Sequence, residues 1–268
     1  MQMELQLTPQ AYKAVEQEFD VRRGYAKQLI EARRVFQRRA QMKAEALGEA
    51  GFIKFAALSG SECPDLCARI REELDGGTDR TLALEILARV FTPEIDREII
   101  SYFGSEYAPI EAGFFETRPD EPVEATDAWH CGAGPSRFLR VMVCLTGSAK
   151  DGPATLFCER PITAPLKEAG YVYCQLENRV VDLNSLTDAL GLERAVVVEM
   201  DVEPGDTIIF DSPGILHRRL LPKHEPRYVM AATLIPTMIS WRQVTDAGVL
   251  PLPPGTGFPP LPGFAEEG

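Results

Sequence analysis

The pattern of apolar and polar positions changes character near Tyr107. Before that point apolar residues recur at helical spacing; beyond it they come in short runs separated by Gly, Pro and Asp. Thr8-Pro9-Gln10 is a helix start with proline at the first helical position. No proline interrupts the chain from there to about Leu47, and Ala14, Phe19, Val21, Ala26, Leu29 and Ile30 form a patchy apolar stripe with Gly24 as the soft spot. This pattern predicts a long helix that packs on the rest of the chain and ends at Gly48 and Gly51. Phe52-Ile53-Lys54-Phe55 predicts a short strand. A helix capped by Ser59 or Ser61 then runs to Leu74 and breaks at Gly76-Gly77, and Thr81 to Val90 and Pro93 to Phe103 predict two more amphipathic helices.

The second half predicts strands at Gly113 to Thr117, Phe138 to Leu145, Ala154 to Cys158, Ala195 to Met200, Thr207 to Phe210 and Tyr228 to Ile235. Tyr171 to Leu192 reads as a looser insertion holding a short helix, Leu183 to Leu190. Many short strands with turn signals between them point to a sandwich or barrel, not a βαβ fold. The expected organisation is one β-rich α+β unit over residues 1–250, with a helical segment at about 1–105 and a β-core at about 106–240. A Pro/Gly-rich tail, 251–268, is expected to be extended or disordered.

Charge narrows the function classes. The chain has 28 Lys and Arg against 40 Asp and Glu, a net −12, which excludes broad binding to a nucleic-acid backbone. No apolar run is long enough to span a bilayer, and the charged N-terminus lacks the apolar core of a secretory signal. Six cysteines at irregular spacing (63, 67, 131, 144, 158 and 174) fit reduced thiols in a cytoplasmic protein.

The chain has only three histidines, so any histidine chemistry falls on His130, His217 or His224. His224 lies in a polar turn, Leu221-Pro222-Lys223-His224-Glu225-Pro226. His130 closes the segment Ala125 to Gly132, just before the strongest strand; His217 follows a strand fed by the Pro204-Gly205-Asp206 turn. Arg227 comes ten residues later, at the start of another apolar strand. Two imidazoles meeting at the mouth of a sandwich suit divalent iron, and an inward Arg offers a planar fork to a carboxylate.

These residues together resemble the iron- and 2-oxoglutarate-dependent oxygenases of the phytanoyl-CoA hydroxylase type. The resemblance is carried by Gly51-Phe52-Ile53, Trp129-His130-Cys131-Gly132, Arg137-Phe138-Leu139-Arg140-Val141, Gly152-Pro153-Ala154-Thr155, Gly205-Asp206-Thr207-Ile208-Ile209-Phe210, His217 and Arg227, over roughly residues 50 to 237. It implies a double-stranded β-helix (jelly-roll, cupin-like) core with an N-terminal helical layer. It further implies Fe(II) held by His130 and His217, and 2-oxoglutarate gripped through its distal carboxylate by Arg227. Arg140 and Thr155 are further candidates to bind the cosubstrate, and Phe157 and Arg137 to line the substrate or halide pocket. Trp129 and Cys131 flank the ligand and point to the other side of a regular strand.

One position departs from the hydroxylase pattern of histidine, any residue, then Asp or Glu. Here the third residue is Gly132, which has no side chain to ligate with. The subset of the superfamily with Ala or Gly at this place comprises halogenases, in which halide takes the vacated coordination position. The expected chemistry is oxidative decarboxylation of 2-oxoglutarate by O2, hydrogen abstraction from an unactivated C–H bond, and transfer of chlorine from chloride to the carbon radical. The substrate is expected to be a free small molecule of natural-product, amino-acid or nucleotide type. A substrate carried on a partner protein is less favoured, and neither a nucleic-acid polymer nor a membrane is expected. The alternatives are a hydroxylase completed by water, Glu159 or Asp211, an engineered Asp→Gly hydroxylase, and a non-catalytic small-molecule-binding jelly roll.

Overall fold

A computed structural model describes residues 7, 10–37, 46–76, 80–149, 152, 155–171 and 179–261. The expected helix start at Thr8-Pro9, the continuation of that helix through 38–45, the break at Gly77, Ala154, Cys174, the part of the insertion at 172–178 and the tail from 262 lie outside the described residues.

Two antiparallel sheets make the core. The larger has the order β1 (Phe52–Ala56), β6 (Asp206–Phe210), β3 (Leu139–Cys144), β8 (Arg227–Thr237), β2 (Glu106–Thr117). The smaller has the order β5 (Val197–Glu199), β4 (Thr155–Cys158), β7 (Leu216–Arg219). Strand alternation assigns the faces of the larger sheet. Val141, Val143, Met230, Ala232 and Leu234 face the helices α4 (Cys63–Gly76), α5 (Arg80–Val90) and α6 (Pro93–Phe103), and join one buried cluster with Ile70, Ile86, Leu87, Phe91 and Ile99. Their neighbours Arg140, Met142, Val229 and Ala231 turn the other way, towards an internal cavity. Between the sheets, Phe157, Ile208, Phe210 and Ile215 pack as a second buried cluster. The outer face of the smaller sheet is covered by α7 (Arg160–Glu168) and α8 (Leu183–Leu190), through Leu166, Leu183 and Leu186 against Trp129, Cys131 and Leu216. This is the double-stranded β-helix that the resemblance implied, and it narrows the sandwich or barrel expected from the strand pattern.

One sequence expectation changes and another is narrowed. The long N-terminal helix is broken: α1 (Ala11–Gln17) runs into a wide turn at Glu18–Arg22, and Gly24, with φ of 85°, resets the chain before α2 (Tyr25–Val35). A left-handed residue cannot sit inside a helix, and glycine adopts that conformation without steric cost. A separate short helix, α3 (Ala46–Glu49), precedes β1. The tail takes the extended of its two expected forms in the residues described, and these dock on the fold. Leu252 bridges Glu111 in parallel, and Phe258 packs on Phe19, Tyr25 and Phe138 with ring centroids 5.7, 5.6 and 4.8 Å apart. Tyr25 and Arg23 donate side-chain hydrogen bonds to the carbonyls of Pro259 and Phe258 at 2.9 and 2.7 Å. Tail and N-terminal segment thus cover each other's apolar rings. The sequence pattern also passes over α7, which carries Pro165 in its interior, and α9 (Trp241–Asp246). The five described cysteines, 63, 67, 131, 144 and 158, are free thiols. Among the described residues no helix is long and apolar enough to cross a membrane.

Candidate metal centre

His130 and His217 meet because their backbones pair. His130 N–H donates to the His217 carbonyl at 3.1 Å, and His217 N–H returns a bond to the His130 carbonyl at 2.9 Å. Directly opposed residues of an antiparallel pair carry their side chains on the same face. The two imidazoles therefore lie side by side, with centroids 4.5 Å apart and planes 54° apart. His130 adds one isolated bridge to the edge of the smaller sheet; His217 is the second residue of β7.

Each ring is fixed in one tautomer. Nδ1 of His130 lies 2.8 Å from the Ala128 carbonyl, and Nδ1 of His217 lies 3.1 Å from the Ile215 carbonyl. A carbonyl can only accept, so Nδ1 carries the proton and Nε2 keeps its lone pair. Burial pushes the His130 pKa down to about 4. For His217 burial, and next the charge of His130, push it well below the ordinary value. Both rings are neutral at physiological pH, which is the form that ligates a metal. A pair of neutral, oriented imidazoles with free Nε2 atoms fits a divalent metal ion.

The rings open onto a cavity of about 340 Å³. Its wall includes Gly132, Ser212, Phe210, Met142, Arg140, Thr155, Arg227, Val229, Ala231, Phe115 and Thr117. Among the described residues no group of three or more His, Cys, Asp and Glu side chains is placed to hold a metal. The cavity's carboxylates are engaged elsewhere: Glu116 with Arg118 and the Tyr228 hydroxyl, both at 3.0 Å, and Glu124 with Arg219 at 3.4 Å. Gly132 has an ordinary backbone conformation, since its φ is not positive. What leaves no room for a side chain there is its surroundings. A Cβ would stand 2.2 Å from Ser212 Oγ and 2.9 Å from Phe138 Cζ.

Arg227 and Thr155, both 4 % exposed, lie in the cavity wall. Arg227 is aimed by two backbone carbonyls, Leu220 at 2.8 Å and Gly152 at 3.0 Å. Arg140 also lines the cavity and is held by Glu111 Oε2 at 3.1 Å and Thr233 Oγ1 at 2.6 Å. Two candidates lie elsewhere. Phe157 faces the same side of β4 as Thr155 but sits deeper, stacked on Phe52 at 5.0 Å and edge-on to Phe210 at 5.2 Å; it is core behind the imidazoles, not cavity wall. Arg137 precedes β3, so strand alternation does not turn it inward. It lies over the Tyr102 ring at 5.0 Å and donates to the Tyr102 carbonyl at 3.2 Å. Asp211 and Glu159, considered as replacement ligands, are not in the cavity wall. Asp211 binds Arg160 Nη2 at 2.6 Å, and Glu159 is the residue directly before α7.

Comparison with solved structures agrees with this architecture. EctD from S. alaskensis, solved with 2-oxoglutarate and 5-hydroxyectoine, superposes with a TM-score of 0.50 at 13 % identity, over 72 % of this chain and 74 % of that one. The same protein with bound Fe gives 0.50 at 15 % identity, over 72 % and 75 %. HygX from Streptomyces hygroscopicus with iron bound gives 0.48 at 13 % identity, over 72 % and 85 %. No family model and no curated protein matches the chain. The chain has the fold of the Fe/2-oxoglutarate-dependent oxygenases.

Sequence reasoning missed Ser212, Phe115, Met142, Val229 and Ala231 as cavity residues. The last two carry a signal that period-two counting from an inward Arg227 would have found. Ser212 carries none. It reaches the site because the Gly132 N–H donates to the Ser212 carbonyl at 2.8 Å across 80 residues of chain.

Proposed function

We propose that this protein is an Fe(II)- and 2-oxoglutarate-dependent radical halogenase that chlorinates a C–H bond of a small molecule. The observation that carries the reading is the pair of neutral imidazoles beside Gly132, with no carboxylate among the described residues placed to complete a three-ligand set with them. His130 and His217 would hold the metal through Nε2, and Arg227 would take the distal carboxylate of 2-oxoglutarate. When bound, the iron with 2-oxoglutarate and O2 supplies the oxidising power to remove a hydrogen atom from an unactivated carbon.

The chain's own residues do the rest. The carbonyls of Ala128 and Ile215 keep both Nδ1 protons in place, so each ring is held with Nε2 turned to the metal position. The missing carboxylate opens one coordination position and removes one negative charge, and chloride supplies both. Phe115, Met142, Val229 and Ala231 offer apolar contact to the substrate carbon skeleton, and Thr117 and Thr155 offer hydroxyls. A cavity of this volume suits a free small molecule of natural-product, amino-acid or nucleotide type. Its task is to keep the reacting carbon nearer the halide than the hydroxyl-donating position.

The test is an anaerobic titration. Fe(II) and 2-oxoglutarate are added, the metal-to-ligand charge-transfer band is recorded, and chloride is then increased. A chloride-dependent change in the band is expected. A band that ignores chloride would refute the halogenase and leave a hydroxylase; no band at all would leave a binding protein without iron chemistry.

A further inference from the structure

The space beside Gly132 is filled. Ser212 follows β6 and Asp211, is 2 % exposed, and lines the cavity. Its Oγ lies 2.2 Å and its Cβ 3.2 Å from where a Cβ on residue 132 would stand. Real Cβ atoms do not approach other heavy atoms to 2.2 Å. The two backbones cannot move apart freely, because Gly132 N–H is bonded to the Ser212 carbonyl at 2.8 Å. The turn carrying Ser212 is itself fixed: Gly214 and Ile215 N–H both donate to the Asp211 carbonyl, at 3.0 and 3.1 Å.

We propose that Ser212 is a positioning residue that holds the third-ligand position. With its hydroxyl as placed, and with the Phe138 ring beside it, it crowds out a side chain at residue 132, and it turns its O–H towards the small anion that binds there instead. This rests on the halogenase reading for the identity of the anion, and on the geometry alone for the steric part. A carboxylate borne on residue 132 would begin at the Ser212 hydroxyl, so an anion taking that carboxylate's place lies within its reach. A hydroxyl is a fitting neighbour for halide. It donates one hydrogen bond, cannot itself ionise, and is too weak a ligand to displace the halide from the metal. The pair Gly132 and Ser212 is then one device: the glycine without the serine would leave a hole, and the serine without the glycine would clash.

Two measurements test this. The first is a double-mutant cycle in melting temperature on metal-free protein, with Gly132→Ala, Ser212→Gly and the double variant. Gly132→Ala alone should lower the melting temperature by about 4–10 °C, as overpacked sites do. In the Ser212→Gly background the same alanine should cost clearly less, the part that remains coming from its 2.9 Å contact with the buried Phe138 ring. Equal costs in both backgrounds would overturn the steric part, whatever the protein's chemistry. The second measurement compares Ser212→Ala with the parent in the anaerobic Fe(II)/2-oxoglutarate complex. Ser212→Ala removes only the hydroxyl, and the chloride concentration that half-saturates the band change should rise about 10-fold or more, the range of a hydrogen bond to a charged group. A merely structural role would not move it, so an unchanged half-saturation in a folded variant overturns the positioning role. A parent protein that gives the band but no chloride response overturns the anion part together with the halogenase reading, and the melting cycle then decides the steric part by itself.

Discussion

Asp211→Asn separates a structural carboxylate from a metal ligand. Asp211 is 2 % exposed and lies directly before Ser212. Its Oδ2 accepts from Arg160 Nη2 at 2.6 Å, its Oδ1 from Gly214 N–H at 3.2 Å, and the Tyr102 hydroxyl also donates to it. Its own N–H donates to the Gly51 carbonyl at 2.8 Å, which ties the turn to the start of β1. Asparagine keeps the size but loses the charge, and one of its amide hydrogens must face a donor. Breaking a buried ion pair by removing one partner typically costs about 3–5 kcal/mol. The Arg160 side chain is 33 % exposed and recovers part of its hydration, so the expected cost is about 2–3 kcal/mol. For a chain of this length that is a melting-temperature fall of roughly 4–12 °C. The assay pairs thermal or urea unfolding of metal-free protein with calorimetric titration of Mn(II) in the presence of 2-oxoglutarate. Lower stability with near-parental metal affinity is expected. A variant as stable as the parent whose metal affinity falls about 10-fold or more would show that Asp211 is a ligand after all, and the two-histidine reading would be wrong.

Arg227→Gln should weaken 2-oxoglutarate binding by about 10- to 100-fold, the loss of a charge-assisted pair; calorimetry with Mn(II) reads it, and unchanged affinity would remove Arg227 from the site. Phe258→Ala should cost about 2–3 kcal/mol, less than a fully buried Phe because its ring is only half-buried. It should also make the chain cleavable by protease near 250–261, and an uncut tail with unchanged stability would contradict its docking. The metal-free protein should lose stability on acidification. The His130 pKa is about 4 folded against about 6.5 unfolded, so the unfolded chain takes up protons first. The contribution is complete above about pH 6.5 and disappears as the pH falls towards 4, with His217 adding in the same direction. His130→Asn should flatten that part of the stability curve, and an equally steep curve in the variant would assign the slope to other groups.

Strand alternation made most of the core legible. Val141 and Val143 against Arg140 and Met142, or Tyr228 and Met230 against Val229 and Ala231, are two faces of one strand, and a period of two separates them without further information. The elements that escaped are those whose local signal is weak or opposed. β7 is a four-residue strand, Leu216–Arg219, half of it arginine, and α7 contains a proline that helix periodicity alone would reject. The tail has the composition of a disordered segment. Its order comes from partners more than 200 residues away, since Phe19, Arg23 and Tyr25 hold Phe258 and Pro259.

The site divides along the same line. His130, His217 and Arg227 were accessible because their residue types are scarce or chemically pointed and their neighbours are strands. Arg137 was misplaced because it lies before its strand begins, where alternation has no hold. Gly132 could be read from sequence only as an absence. Whether an absent side chain is a vacancy depends on what else fills the space, and that is decided by a backbone hydrogen bond to a residue 80 positions on. A hydroxyl stands there, 2.2 Å from the missing Cβ. An Asp at 132 therefore does not become a ligand simply by being present: the Ser212 hydroxyl has to turn away and the Phe138 ring has to shift before the side chain fits. Conversion of this site to a three-ligand centre therefore involves residue 212 as well as 132, and Gly132→Asp together with Ser212→Gly removes the nearer of the two obstacles, leaving the contact with Phe138.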